Sequence, residues 1–523
     1  MQSLELDTPN RIRSGPWAYL PARTDTLSAV ALLSVVLLGL MLRVYGLIGY
    51  GIWFDEAYHI QLATLPTAGA MLQAVLANPP SDPLYVLLLR PWIALFGHDD
   101  LSVRALSVML STATIPATYW LGKVAAGRAA GLAGALLLAV SPYTIEFGQQ
   151  ASLYVLASLT TTLALAAGLS WHGSGSLKHA LFYVALGTVA VYSHYVVAAI
   201  LGLFGLLALY AGAGPRLVTR RAWIAAHAAI FMAWSPWLVA LAANWIATPV
   251  PRATLRNPAS LDQVIGALVQ LSSGTAALLQ GARVPEALGL LAGSLLLLAG
   301  WFAGREVGKR SLRLVIVVSG LIFLLPALVS AATGLWLFVP HFMLFLLPAM
   351  FVVFGAGLAN LGQAAVRNVP SHAVRYLSLA LAAVWLMAQV WGLTLFYRYP
   401  PHGADGLREL AATLNRESQP GDLVLVTPPV LQASLAQYYG GQTRGLPSDF
   451  NLHRMYQPYD PAQWHVDSVR KLDSLTEGRS RFWLVYRPEL DERGNFLAEA
   501  GRRYREAEQH RYIFATLYLF ESP

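Results

Sequence analysis

The sequence predicts an α-helical, polytopic membrane protein with about eleven transmembrane helices and a small C-terminal α/β domain outside the membrane. Of its 523 residues, 56% are hydrophobic and only 12% are charged, whereas soluble domains average about 25% charged residues. Most apolar residues precede Tyr397 in blocks of roughly 18–22 residues, the length that a helix needs to cross a bilayer. From Arg398 onward, charged and apolar residues are mixed.

The first apolar block, 27–48, follows three arginines, and no small-residue cleavage site comes soon after it. We therefore expect a retained anchor, with residues 1–26 as a cytoplasmic tail, 27–397 as the transmembrane domain and 398–523 as the α/β domain. Ten further blocks are centred near Ile115, Leu136, Leu163, Val189, Phe204, Ile230, Leu295, Leu321, Phe345 and Ala383.

The charges follow the predicted topology. One set of alternate connections is basic and contains Lys123, Arg128, Lys178, Arg216, Arg220, Arg221, Arg305, Lys309, Arg310, Arg313, Arg367 and Arg375. The opposite connections are richer in acids: Asp55, Glu56, Asp82, Asp99, Asp100, Glu146 and Asp262. The positive-inside rule places the N-terminus in the cytoplasm, and an odd number of spans then places the C-terminal domain outside. The basic balance is thus a topology signal and does not indicate nucleic-acid binding.

The first external segment, 49–104, predicts an interfacial helix after Asp55 and a break at the prolines of 78–83. The apolar stretch 84–96 is too short to cross comfortably and is expected to lie flat at the surface. In the C-terminal domain we expect helices at 406–416, 434–439 and 497–508, and strands at 422–427, 482–486 and 515–520.

The sharpest chemical feature is the run Trp53-Phe54-Asp55-Glu56-Ala57. Two adjacent carboxylates between aromatic and apolar residues are unusual at a membrane surface, where ionised groups in a low dielectric are costly. Such a pair fits a general base or a metal ligand. The alternative is a solvated helix start with Asp55 as the N-cap.

Other polar residues lie near the same predicted surface. Arg43 is a candidate for bidentate binding of a lipid phosphate; the alternative is that its side chain only snorkels to the membrane surface. His194 and Tyr195 are candidates for binding a phosphate or a metal ion, and a purely structural role is the alternative. His341 lies in the same predicted layer and has the same two interpretations. A further polar cluster could line a sugar-binding cavity or form a polar rim that binds no ligand; its residues are Glu146, Gln149, Gln150 and Tyr154.

The chain has no cysteine, which excludes disulfides and thiolate chemistry. No phosphate loop, dinucleotide fingerprint or H-E-x-x-H motif is present.

The whole chain resembles the GT-C superfamily, especially the protein O-mannosyltransferase and aminoarabinose-transferase-like bacterial glycosyltransferases. The resemblance is carried by ordered short motifs: 42–47, Trp53 to Ala57, Pro83-Leu84-Tyr85 with 87–89, 96–97, Arg104, Ser107, Tyr119 with 121–122, Ser141-Pro142, Ser193-His194-Tyr195, Leu346-Leu347-Pro348 and 420–424.

This resemblance implies an enzyme that takes a sugar from a polyprenyl-phosphate carrier at the external face of the plasma or inner membrane. Asp55 matches the acidic base or metal-linked catalyst, Glu56 its partner, and His194 and Tyr195 a region near the donor phosphate. The acceptor is a lipid, a polysaccharide or a protein. The reaction would be a single inverting displacement. Whether the enzyme also uses a divalent cation, with Asp55, Glu56 and His194 as possible ligands, is left open by the resemblance.

The chain departs from its relatives at three places. Ser81-Asp82-Pro83-Leu84-Tyr85 replaces His-Pro-Pro-Leu-Tyr, the run 148–152 replaces Ser-Gln-Glu-Ala-Arg, and His341-Phe342 replaces Arg-Tyr. Asp82 or Glu146 is then the candidate to replace the missing carboxylate, and His341 remains a candidate for binding the phosphate. Asp82 and Tyr85 are added to the residues of the predicted cavity. An inactive lipid-sugar scaffold and a lipid-linked sugar flippase are the alternatives. A flippase favours deep charged residues and an internal repeat, and neither is visible in the sequence.

Overall fold

The computed structural model describes residues 20–77, 82–210, 218–247, 259–273, 283–304, 310–335, 337–367, 371–398, 406–429, 431–446, 461–487, 495–512 and 515–522. The helices before residue 399 are α1 Leu20–Val44, α2 Phe54–Ala63, α3 Ala68–Ala77, α4 Pro83–Phe96, α5 Asp100–Ala126, α6 Arg128–Val140, α7 Pro142–Gly148, α8 Leu153–Ser174, α9 Leu177–Ser193, α10 Tyr195–Tyr210, α11 Arg220–Ala247, α12 Leu261–Ser273, α13 Arg283–Gly304, α14 Arg310–Thr333, α15 Leu347–Arg367 and α16 Ser371–Arg398. A 3-10 helix, Pro340–Leu346, leads into α15.

The predicted fold class, a multi-pass helical membrane protein with a small C-terminal α/β domain, is confirmed. Ten of the eleven predicted span centres fall in α-helices, and Phe345 falls in the 3-10 helix. Within the described residues, six helices are long and apolar enough to cross a membrane: α1, α8, α11, α14, α15 and α16. The pair α6 and α7, bent by 62°, raises that number to seven. Of the other predicted spans, α9, α10 and α13 are shorter apolar helices.

Small residues allow the central helices to pack closely. A Cβ atom added to Gly355 of α15 would lie 2.4 Å from the Ala130 carbonyl oxygen of α6. One added to Gly134 of α6 would lie 3.0 Å from the Phe351 carbonyl oxygen. Backbones can approach this closely only where no side chain separates them, as is common between membrane helices. α15 also contacts α5 and α8, so this packing supports the helices that carry the predicted site residues.

The C-terminal domain is a five-stranded sheet in the order β2-β1-β3-β5-β4. Its strands are β1 Leu423–Thr427, β2 Thr443–Gly445, β3 Arg481–Tyr486, β4 Arg505–Arg511 and β5 Thr516–Glu521, and its helices are α17 Leu407–Glu417, α18 Leu431–Leu435, α19 Pro461–Thr476 and α20 Asn495–Arg503. β1 pairs in parallel with β2 and β3, while β5 pairs antiparallel with β3 and β4. Leucines of α17 and α18 pack on one face of the sheet, and residues of α19 and α20 pack on the other.

The structure corrects part of the predicted domain. The charged helix expected at 497–508 ends at Arg503, and Arg505–Arg511 forms the edge strand β4. Backbone pairing with β5 overrides the helical pattern there, and charged residues are typical of exposed edges. The helix expected at 434–439 is the shorter α18, and β2 and α19 were not predicted. The limits at 26/27 and 397/398 stay predictions, and residues 1–19 lie outside the described part.

Candidate active site

The connection between α1 and α2 is organised by a buried ion pair. The Arg104 side chain, on α5, donates from Nε to Glu56 Oε1 at 2.8 Å and from Nη2 to Glu56 Oε2 at 2.9 Å. Both side chains are almost fully buried. A bidentate pair of this kind is both strong and geometrically specific, so it fixes α2 against α5.

The Glu56 carboxylate has two further partners. The backbone N–H of Trp53 donates to Oε2 and the backbone N–H of Ala151 donates to Oε1, each at 2.9 Å. An ionised carboxylate offers about four acceptor positions, and all of them are thus used. This geometry favours a positioning role for Glu56, which ties the first loop to the start of α8.

Asp55 lies in the first turn of α2, where acidic residues are stabilised by the helix dipole. The N-cap of this helix is Trp53, so the alternative with Asp55 as N-cap is wrong. The Asp55 side chain is half-buried and is close enough to Tyr154 for an electrostatic interaction. Of the two adjacent carboxylates, Asp55 thus acts electrostatically on Tyr154, and Glu56 acts on Tyr85.

An aromatic cluster lies on the side of Tyr154. The ring of Tyr154 is 4.8 Å from that of His341, and the ring of His194 is 4.6 Å from Phe342 and 4.8 Å from Phe345, measured between centroids. These residues come from α8, the α9–α10 junction and the 3-10 helix. The structure thus brings together Tyr154, His194, Tyr195 and His341, and Asp55 acts electrostatically on Tyr154.

His194 is buried and neutral. Burial, with a smaller contribution from nearby His341, lowers the pKa of His194 to about 3. Its Nδ1 accepts a hydrogen bond from the Val196 backbone N–H at 3.2 Å, so the ring proton sits on Nε2. His194 is therefore a hydrogen-bond donor through Nε2 and not a cation at neutral pH.

Asp82 joins the first external segment to the α9–α10 junction. Its Oδ2 accepts a hydrogen bond from the Tyr195 backbone N–H at 3.0 Å. The side chain is buried, and burial raises its pKa to about 8. Asp82 is thus a largely protonated acid near neutral pH and lies directly beside the histidine and tyrosine of the cluster.

Arg43 is fully buried within the helix layer and does not snorkel. Its Nε donates to Ser111 Oγ at 2.7 Å and its Nη2 to Thr144 Oγ1 at 3.1 Å. Its Nη1 donates to the carbonyl oxygens of Gly39 and Ala139. The guanidinium is thus surrounded by neutral oxygen atoms of four helices, α1, α5, α6 and α7, and its predicted phosphate contact stays a prediction.

The remaining predicted cavity residues are buried as well. Tyr85 shares a hydrogen bond with Ser107 at 2.9 Å, and Glu146 acts electrostatically on Tyr143. Gln149 donates from Nε2 to the carbonyl oxygens of Arg43 and Tyr45. Within the described residues, Gln149 Oε1 and Gln150 Nε2 are buried without a hydrogen-bond partner. Such orphaned polar atoms are uncommon and concentrate where strain or function requires them.

The predicted metal ligands do not converge. Among the described residues, the group of three or more potential ligand atoms within 4.8 Å of one another is Glu417, Glu508 and His510 of the C-terminal domain. Asp55, Glu56 and His194 form no such group, and the Glu56 oxygens are already occupied by N–H donors. The residues present at the predicted site therefore do not fit a shared cation.

Sequence reasoning missed Arg104 as the partner of Glu56. The two residues are 48 positions apart, and Arg104 is the last residue of the predicted external segment 49–104. The available signal was an arginine entering an apolar helix, because such a charge requires a partner.

Residues 78–240 match the sequence model of the Dolichyl-phosphate-mannose-protein mannosyltransferase family. This range contains Asp82, Arg104, Tyr154 and His194 but not Asp55. No curated protein sequence matches the chain.

Solved structures share the fold over nearly the whole chain. ArnT from Cupriavidus metallidurans bound to undecaprenyl phosphate has a TM-score of 0.60 and 13% identity, covering 97% of this chain and 98% of that chain. The archaeal oligosaccharyltransferase AglB from Archaeoglobus fulgidus, in complex with an inhibitory peptide and a dolichol-phosphate, has a TM-score of 0.58 and 11% identity, covering 95% and 74%. The predicted resemblance is confirmed: this multi-pass membrane protein has the GT-C glycosyltransferase fold, and its residues 78–240 match the mannosyltransferase family.

Proposed function

We propose that the chain is a membrane glycosyltransferase that moves a sugar from a polyprenyl-phosphate carrier to an acceptor hydroxyl, with Asp55 as the general base. The observation that carries this proposal is the position of Asp55. It is half-buried in the first turn of α2, beside Tyr154, on a loop fixed by the Glu56–Arg104 pair. The ligands bound in the two structural neighbours, undecaprenyl phosphate and dolichol-phosphate, support the donor class.

The reaction in this proposal is a single displacement. The acceptor oxygen forms a bond to the anomeric carbon while the bond from that carbon to the phosphate oxygen breaks. Asp55 takes the acceptor proton, and the leaving lipid phosphate takes the electron pair. A base positioned within hydrogen-bond reach contributes about 10²–10⁴-fold to such a step.

The leaving phosphate needs donors to stabilise its charge. In the proposal these come from the His194 Nε2–H group, from Tyr195 and from His341, which lie within one cluster. The rings of Tyr154 and Phe342 supply apolar surface for the sugar and the first carrier units. Arg43 contributes a positive field from within the helix layer.

The proposed orientation follows the charge pattern. The N-terminus lies in the cytoplasm of a plasma or inner membrane, and the site and the C-terminal domain lie outside. The donor's lipid tail then stays in the bilayer while its sugar reaches Asp55, so no soluble nucleotide sugar is required.

The test is transfer from a panel of radiolabelled polyprenyl-phosphate sugars in membranes, comparing wild type with Asp55→Asn. We expect Asp55→Asn to lower the transfer rate at least about 10²-fold without changing the thermal unfolding midpoint. Asp262→Asn is the matched control, because Asp262 is an exposed acid in the first turn of α12.

A Glu56→Gln variant separates chemistry from positioning. We expect it to lower both transfer and the unfolding midpoint, because it leaves Arg104 as an unpaired buried charge. Equal transfer by wild type and Asp55→Asn would remove Asp55 from the mechanism. If folded wild type binds the lipid but transfers nothing, the scaffold or flippase is the correct function.

A further inference from the structure

The C-terminal domain contacts the loop between α1 and α2, which leads directly into the helix of Asp55. Arg408, on α17, donates from Nη1 to the Ile48 carbonyl oxygen at 2.7 Å and from Nη2 to the Tyr50 carbonyl oxygen at 2.9 Å. The same guanidinium contacts Asp100, at the start of α5, through Nε at 3.0 Å and through Nη2. One side chain of the domain thus joins the first loop to the first turn of α5.

Tyr438 makes a second link from the same domain. Its hydroxyl donates to Asp100 Oδ2 at 2.7 Å and accepts from the Ile52 backbone N–H at 2.7 Å. Asp100 Oδ2 therefore receives both the tyrosine and the arginine of the domain. Around this network, Ala433 packs in one buried cluster with Ile52 and with residues of α2.

Arg104 holds the same loop from the transmembrane side. It donates to the carbonyl oxygens of Leu47, Tyr50 and Gly51 at 2.8, 3.0 and 2.8 Å. The Tyr50 oxygen thus accepts from Arg104 and from Arg408. Together the two arginines and Tyr438 bind five backbone groups between residues 47 and 52, a few residues before Asp55. We name Asp100, Arg408 and Tyr438 the domain latch.

We propose that the domain latch positions Asp55, so that transferase activity requires the C-terminal domain to be seated on the first loop. This inference rests on the proposed function. If the domain separates from α2, the Ile48 carbonyl and the Ile52 N–H lose the partners that the domain supplies, and the Tyr50 carbonyl keeps Arg104 but loses Arg408. The loop is then held from the transmembrane side alone, and Asp55 loses its fixed distance to the reacting hydroxyl.

The geometry also assigns distinct tasks to the three residues. Arg408 restrains carbonyl groups, Tyr438 restrains one amide, and Asp100 orients both side chains. The forked guanidinium can reach Ile48, Tyr50 and Asp100 at once, which a lysine ammonium on a longer flexible stem does not reproduce. None of the three needs to touch the substrate, so they are positioning residues.

The experiment measures turnover and hydrogen exchange in full-length protein carrying Tyr438→Phe or Arg408→Gln. Arg502→Gln is the control, because Arg502 is an exposed arginine of the same domain whose side chain bonds to Glu499. We expect kcat to fall about tenfold to a hundredfold in the latch variants, since misplacing a catalytic group by about 1 Å has an effect of this size. The KM for the donor should stay within about threefold.

Hydrogen exchange supplies a readout that does not depend on catalysis. In Tyr438→Phe, which keeps the ring but removes the hydroxyl, the Ile52 amide should exchange at least about tenfold faster, because local opening governs exchange. Arg408→Lys should recover little of the kcat lost in Arg408→Gln. Wild-type exchange at Ile52 in Tyr438→Phe would overturn the latch, whether or not the protein proves to be a transferase. Faster exchange with unchanged kcat would overturn its positioning role.

Discussion

Two buried acids near the site have opposite electrostatic environments. Glu56 accepts hydrogen bonds from the Arg104 guanidinium and from two backbone N–H groups. Asp82 accepts a single backbone N–H, from Tyr195, and burial raises its pKa to about 8. The Glu56 carboxylate therefore has a full set of donors, whereas Asp82 is a largely protonated acid near neutral pH.

The raised pKa of Asp82 predicts that Asp82→Asn stabilises the folded protein in a pH-dependent way. An unfolded aspartate has a pKa of about 3.9, so between roughly pH 4 and 8 the folded state binds more protons than the unfolded state. The stability of wild type then falls as the pH rises through this range. An asparagine cannot ionise, so Asp82→Asn should raise the free energy of unfolding at pH 8 by on the order of 1–3 kcal/mol, and by much less at pH 5.

This prediction is checked by thermal unfolding of both proteins at pH 5 and pH 8. Asp262→Asn, a substitution at an exposed position of α12, serves again as the control at both pH values. A gain that is larger at pH 5, or absent at both, contradicts a protonated Asp82.

The sequence was sufficient to select Asp55 and Glu56 as candidate functional carboxylates but not to assign a separate role to each. Adjacent carboxylates among aromatics are visible locally. Two of the three partners of Glu56, Arg104 and Ala151, lie 48 and 95 positions away in the chain, and local patterns carry no information about contacts at such separations. The same holds for Arg43, whose neutral partners on α5 and α7 are set by helix packing.

Helices were easier to predict than strands in this chain. Long apolar blocks set most helix positions because a membrane span must satisfy its own backbone hydrogen bonds. Strand β4 has no apolar alternation at all, and it forms because β5 offers a partner edge. The short strand β2 is likewise decided by its neighbour β1 and not by its own residues.

The contact between α6 and α15 predicts that Gly355 does not tolerate a side chain. A Cβ atom there would lie 2.4 Å from a backbone oxygen of α6, so one helix must move. We expect Gly355→Ala to destabilise the protein by about 1–3 kcal/mol, the usual range for overpacking. Thermal unfolding in detergent measures the change.

Gly320 of α14 is the matched control for this substitution. A Cβ atom at Gly320 meets nothing within 4 Å, so Gly320→Ala should change the unfolding free energy by less than about 1 kcal/mol and in the stabilising direction. Equal effects of the two alanines would mean that α6 and α15 do not pack through these glycines.

At the scale of the whole molecule, the predicted topology is testable because the chain has no cysteine. Ser474→Cys lies on the exposed part of α19, and Ser174→Cys lies at the exposed end of α8, next to the basic connection with Lys178. We expect a membrane-impermeant maleimide to label Ser474→Cys in intact cells and Ser174→Cys only after permeabilisation.

The two serine positions control for each other, since both substitutions are nearly isosteric. Labelling of Ser174→Cys alone in intact cells would invert the orientation and move the C-terminal domain to the cytoplasm. Labelling of both from outside would place the two segments on the same side and would require a different number of crossings between them.

The charged strand β4 has a consequence for how copies of this protein meet. Proteins confined to a bilayer encounter one another at high local density, and an open sheet edge is a template for pairing with a neighbour. Here that edge carries Arg505, Glu506, Glu508 and Arg511, of which Arg505 is paired with Glu521 of β5. An approaching second strand would have to desolvate this row of charges. These charges thereby protect the β4 edge of the sheet against strand pairing with a second copy of the protein.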